Sequence, residues 1–145
     1  MEKALSSRRF LILFPDIQRE NAPRIIDAVQ QELKPEFVAK GIMIGQFHPY
    51  CLESGLWNQN FRPLQAPVPL LAIRYMVLTD FPFLRKDERF ISSYVKIFGE
   101  GIPQGIQEMI EEARSQINSI PVGVMVREEA SICASVSKLA FSEPE

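Results

Sequence analysis

The chain carries one histidine, one tryptophan and two cysteines in 145 residues. A single histidine excludes any zinc site that needs two. Cys51 and Cys133 have no close-spaced partners, so they read as buried or free thiols and not as a redox or zinc motif. Positive charge is also short: 16 Lys and Arg against 18 Asp and Glu give a net charge of -2. The basic residues are scattered, which leaves no footprint for a phosphate backbone, and no nucleic-acid partner is expected. No apolar run approaches the roughly 20 residues that cross a bilayer. The run Phe10 to Phe14 is too short for a signal peptide and Asp16 follows at once, so no membrane association and a cytoplasmic location are expected. GxGxxG, a phosphate-binding Gly-rich loop and a nucleophile elbow are all missing.

What is present suits one packed domain, since 46% of the residues are hydrophobic and 23% charged. "RRFLILFP" predicts a buried strand over Phe10 to Phe14. Asn21 is a candidate helix cap with Pro23 in the first turn. Ala22, Ile25, Ile26, Val29 and Leu33 repeat at helical spacing up to Pro35, which is expected to end or kink that helix. "GIMIGQF" predicts a second strand over Gly41 to Phe47, and "LLAIRYMVLTDF" a third from Leu70, closed by Asp80, Phe81 and Pro82. A helix is expected over Asp87 to Phe98, stopped by Gly99 and Gly101. Another follows Pro103, with Ile106, Met109, Ile110, Ala113 and Ile117 on one face. In the tail, "VGVMV" suits a strand and "EEASICASVSKLAF" a helix. The order implies an α+β fold: a mainly antiparallel sheet with helices on one face, a ferredoxin-like relative, the tail adding a fourth strand or a helix.

The unusual residues gather in "GQFHPYCLESGLWNQNFRPLQAPVPLL", from Gly45 to Leu71. It connects two strands without periodicity and holds Pro49, Pro63, Pro67 and Pro69. Long connections of this kind are uncommon and tend to be functional or mobile. His48 has three roles open to it. It can act as a general base, as an axial ligand to haem iron with Phe47, Tyr50 and Trp57 packed on the macrocycle, or as a structural group whose ring nitrogens bond the loop. Arg62 and Arg74 lie in apolar surroundings, where a guanidinium needs a carboxylate, carbonyls or an anionic ligand. Asp80 is an internal candidate partner, and an Arg-Asp or Arg-backbone clamp that pins the proline loop stands beside the reading in which the arginines hold a ligand's carboxylate or phosphate. Seven of the 14 aromatics fall between Phe47 and Phe83, which predicts one local cluster, as core or as the lining of a small-molecule site.

The stretch from Asn58 to Leu84 resembles the core of an uncharacterised bacterial family, the domain of unknown function six-eight-seven-five. The matching residues are Asn58, Phe61, Arg62 and Pro63 of an Asn-x-x-Phe-Arg-Pro string, then Pro67-Val68-Pro69. Arg74 inside an apolar strand and the turn Asp80-Phe81-Pro82-Phe83 follow, and Tyr94 to Glu100 looks like the family's helix ending in Phe-Gly-Glu. The resemblance covers roughly Arg8 to Gln116, leaving residues 117–145 as a C-terminal extension on a single-domain core. A more distant similarity, through a His-Pro after a strand and an arginine in the following loop, is to haem-dependent amine N-hydroxylases. It implies His48 as the haem ligand with Arg62 or Arg74 meeting a propionate.

The leading expectation is therefore a domain that binds a small ligand or cofactor under the proline loop, with His48, Tyr50, Trp57, Arg62 and Arg74 as contacts, and haem with oxidative chemistry as its sharper form. The rival is a non-enzymatic interaction or assembly protein, a homo-oligomer or the binder of a protein partner, in which the proline loop is structural and the extension contacts the partner. A third form is a cofactor-free enzyme with His48 as catalytic base.

Overall fold

A computed structural model describes residues 8–119. Three strands, β1 (Arg9–Leu13), β2 (Ile42–Phe47) and β3 (Leu70–Tyr75), form one sheet in the order β1-β3-β2. Both outer strands run antiparallel to β3, so β1 and β2 are parallel to one another with β3 inserted between them. The register sets Phe10 opposite Ile73 and Ile12 opposite Leu71, while Ile44 also lies opposite Ile73. Three α-helices accompany the sheet among the described residues: α1 (Ala28–Ala39), α2 (Glu88–Phe98) and α3 (Gln104–Ser119). This is the expected α+β class with an antiparallel sheet. Its strands show a split βαβ arrangement, and the described residues contain no fourth strand. The expected strand and helix in the tail lie outside the described residues, as does Cys133.

The first helix departs from its expected phase. Pro23–Asp27 form a π-helical turn that leads straight into α1. A π turn holds an extra residue, and one residue moves the following side chains by about 100° around the axis. The inward stripe is accordingly Ala22, Ile26 and Gln30, all buried, while Val29, expected on that stripe, stands outside at 36% exposure. Gln30 is tolerated inside because its amide donates to the Ile44 carbonyl at 3.1 Å. The N-cap position belongs to Ala22, with no side-chain cap, not to Asn21. Pro35 does not end the helix, which runs on to Ala39. Val38 beyond it is fully buried in the core, and packing of this kind can hold a turn that has lost one hydrogen bond. Gly41, at φ 75°, then supplies the left-handed step that lets the chain enter β2.

Two apolar clusters result. Ala22, Ile26, Ile44 and Leu71 join α1 to one face of the sheet. Val38, Met76, Phe81, Leu84, Ile91, Tyr94, Ile102, Ile110 and Ala113 form a larger one between the end of α1, α2 and α3. The third strand is shorter than expected. It stops at Tyr75, and Leu78–Phe83 coil into a 3₁₀ helix instead. The reason is Asp80, whose carboxylate accepts from the Val77 N–H at 2.8 Å and from Arg74 inside β3, turning the chain off the sheet.

Helix α2 matches the reading of its sequence closely. Asp87 caps it by accepting from the Arg89 N–H at 2.8 Å, and Gly99, at φ 50°, closes it. Hydrogen bonding to the Arg89 side chain holds the Asp87 carboxyl below its ordinary range, in spite of opposing burial. A depressed carboxyl contributes stability that is present above its unfolded value and lost as the pH falls through the folded value. Asp87→Ala is expected to cost about 1 kcal/mol at neutral pH and to flatten the acid limb of stability against pH. Urea unfolding between about pH 2 and 7 measures both.

Candidate functional site

Residues 48–69 leave β2 and return to β3 as a loop tied to itself. The His48 N–H donates to Leu64 O at 3.3 Å, and the Ala66 N–H returns a bond to His48 O at 3.4 Å. Those two bonds close the base. Farther out, Gly55 N–H donates to Phe61 O at 2.9 Å. The Asn58 side chain accepts from the Asn60 N–H at 2.9 Å, an Asx turn. Gln65 reaches back to Cys51 O at 3.3 Å. Proline withholds donors along this path, so cross-links of this kind take over from a strand ladder.

At the base of the loop lies a dyad. The His48 side chain is fully buried, and its Nε2 is 2.9 Å from Asp27 Oδ1 at the end of the π turn. A carboxylate only accepts hydrogen bonds, so Nε2–H donates. Nδ1 is buried without a partner. The Asp27 side chain is one-third exposed and stands on the wall of an open cleft of about 260 Å³ with Pro23, Tyr50, Cys51, Leu52, Glu53 and Ser54. The two sides of this cleft come from the π turn and the head of the proline loop, and the dyad bolts them together.

Cys51 is buried and free. Burial first, then the nearby charges of Asp27 and Glu53, push its thiol above the ordinary range, although a backbone hydrogen bond at Glu53 opposes this. A protonated thiol without a bond to His48 is no activated nucleophile. Among the described residues, no three His, Cys, Asp or Glu side chains converge to hold a metal ion.

The other expected contacts scatter. Arg74 is clamped by Asp80 through two bonds of 2.7 and 2.6 Å and also donates to Tyr75 O at 3.0 Å. Arg62 donates to the carbonyls of Gln59 and Phe61 within its own loop. Both guanidiniums thus bond the chain itself, and neither lines the cleft. Trp57 is 97% exposed, and Phe61 stands out in solvent, while Phe81 is buried against Tyr94. The aromatics of this region therefore form no single cluster. Of the expected contacts, Tyr50, half-exposed, lines the cleft, and His48 lies buried behind it against Asp27. Haem does not fit this arrangement. One nitrogen of His48 is committed to Asp27 and the other is sealed, and the open volume lies beside Asp27 and below the usual range for drug-sized pockets.

Asp27 was not legible as a site residue. It sits 21 positions from His48, on a helix whose sequence gives no sign of the π turn. The one available signal was chemical: a buried imidazole commonly takes a carboxylate partner.

A family model described as a domain of unknown function, DUF6875, matches residues 2–109, about three quarters of the chain. No curated protein and no solved structure matches it.

Proposed function

Since the chain belongs to the DUF6875 family, whose description leaves the function open, we propose one from the geometry: binding of a small organic cation in the cleft between the π turn and the loop head. The observation that carries this reading is the Asp27 carboxylate. It is held in place by a buried imidazole at 2.9 Å, yet one-third exposed on the cleft wall. An anion fixed by a neighbour pays little ordering entropy when it meets a ligand. Glu53 adds a second negative group, Tyr50 brings an aromatic ring suited to cation–π contact, and among the described residues no basic side chain lines the cleft. Lys34 feels the Glu53 charge, but its ammonium donates to Phe83 O and sits 5.2 Å from the Phe90 ring centre. Asp27 is thus the anchor and His48 its positioning residue. The sealed imidazole touches no ligand and serves as no base in this geometry.

Phenethylammonium and its anionic counterpart phenylacetate test this in ligand-detected NMR titrations. Phenethylammonium is expected to bind with a dissociation constant of about 1 mM, in keeping with so small a molecule. Asp27→Asn should weaken it tenfold or more, and phenylacetate should not bind. Equal binding of both probes, or no effect of Asp27→Asn, overturns the reading. The rival, an interaction protein with a structural loop, is favoured by the exposed apolar side chains of the loop tip, Leu52 at 80% and Trp57 at 97%. It predicts that neither probe binds.

A further inference from the structure

Strand β1 is unusual for an edge. It reads Arg-Phe-Leu-Ile-Leu, and all five residues are exposed, with Phe10 at 58%, Leu11 at 60%, Ile12 at 44% and Leu13 at 55%. It pairs with β3 on one side, and among the described residues its other side has no strand. Helix α1 lies over β2. The opposite edge strand, β2, is half-buried, and its Ile44 carbonyl receives the Gln30 amide. The usual protections of an edge are a proline, an internal lysine, a bulge or a covering helix. None lies within β1, whose pairing with β3 is an unbroken one-to-one register.

We infer that β1 is an interface for a second copy of this chain, the two β1 strands pairing antiparallel about a two-fold axis at Leu11 to make one continuous six-stranded sheet. The strand is its own complement in this register. Phe10 falls opposite the partner's Ile12, Leu11 opposite the partner's Leu11, and Arg9 opposite the partner's Leu13, so apolar side chains meet on both faces. The two Arg9 charges lie four residues apart along the pair, about 13 Å at 3.3 Å per residue, which is beyond the screening length of about 8 Å at physiological salt. Asp16 follows Pro15 at the end of β1 where the partner's Arg8 and Arg9 arrive, so the ends carry opposite charges. Four apolar side chains near half exposure offer roughly 400 Å² per copy, against the ~800 Å² that each side of a standard interface buries. The pairing is accordingly a reversible, micromolar one and not an obligate dimer.

Leu11 allows a specific test. It lies on the face opposite to the one that Phe10 and Ile12 share with buried Leu71, so changing it leaves the core alone. The full chain, followed by light scattering from about 1 to 500 µM, should pass from 16.6 kDa to twice that mass. Leu11→Lys and Leu11→Glu should each stay monomeric, weakening association about 100-fold, because the two-fold axis sets like charges face to face. An equimolar mixture of the two should recover the doubled mass. Hydrogen exchange on the wild-type chain adds a readout that needs no variant: the outward amides of Arg9, Leu11 and Leu13 should lose protection on dilution, while those of Phe10 and Ile12, which face β3, should not. A wild-type chain that is monomeric at 500 µM overturns the inference, whether its β1 amides are open or are protected by the chain's own residues. A dimer that survives Leu11→Lys, or a mixture that stays monomeric while both variants are folded by circular dichroism, overturns it as well.

Discussion

Arg74→Ala is expected to lower the free energy of unfolding by about 3–5 kcal/mol, the cost of leaving a buried charge without its partner. Asp80 is 2% exposed, and its carboxylate accepts two bonds from the Arg74 guanidinium and one from the Val77 N–H. With the arginine gone, one backbone donor remains for a group that water cannot reach. Asp80→Ala should cost less, about 2–3 kcal/mol. The guanidinium it abandons is one-third exposed and retains the Tyr75 carbonyl, so solvent takes over part of the lost contact. Urea denaturation of both single variants and of the double variant gives the order and the coupling. If the two single losses came out equal, or Asp80→Ala were the worse, burial of the carboxylate would not be what makes this clamp costly to break. A ligand-holding arginine, by contrast, would leave the stability of the ligand-free protein almost unchanged.

The second large effect belongs to Tyr94, at the centre of the larger apolar cluster. Its side chain is fully buried, with the ring centre 5.3 Å from that of Phe81 and 4.8 Å from that of Phe98, both tilted. Its hydroxyl donates to Leu78 O at 2.6 Å. Tyr94→Ala removes the ring from between α2 and the 3₁₀ turn and should cost about 3–5 kcal/mol through lost burial and the cavity left behind. Tyr94→Phe keeps the ring and strands one carbonyl, at a cost of about 1 kcal/mol. The two variants also differ from wild type at high pH. Burial raises the Tyr94 phenol above its ordinary value, and the Asp80 charge adds to the shift. The unfolded chain then ionises first, near pH 10, and the native state binds more protons across the window above it. Stability therefore falls as the pH rises through that window. Tyr94→Phe should flatten this alkaline loss, and thermal unfolding from about pH 8 to 11 measures it.

The motif string that marks the family turns out to describe architecture at several of its positions. Asn58 makes the Asx turn, Arg62 pins its own loop's carbonyls, and Arg74 with Asp80 ends the third strand. The cleft lies between two segments that the string does not touch, the π turn and residues 50–54. Rare residue types single out His48 and Tyr50 along with Trp57, Arg62 and Arg74. Tyr50 alone of these lines the cleft and His48 reaches it only through Asp27, because rarity says nothing about which way a side chain is carried once its loop is tied down.

What the sequence determined by itself was local. The period of Phe90, Ile91, Tyr94 and Ile97, bounded by Asp87 and Gly99, placed α2 almost to the residue, and Pro103 with its following stripe placed α3. The first two strands and the antiparallel α+β class were also legible, because periodicity, caps and breakers act through neighbours in the chain. The tertiary structure alone decided the rest. It chose Asp27 for His48 across 21 residues, set the buried stripe of the first helix against the sheet after a π turn and left β1 open along its edge. Each of these depends on which distant group arrives to take a hydrogen bond or cover a face. That is fixed when the sheet, the helices and the long loop close on one another, and no local window of the sequence contains it.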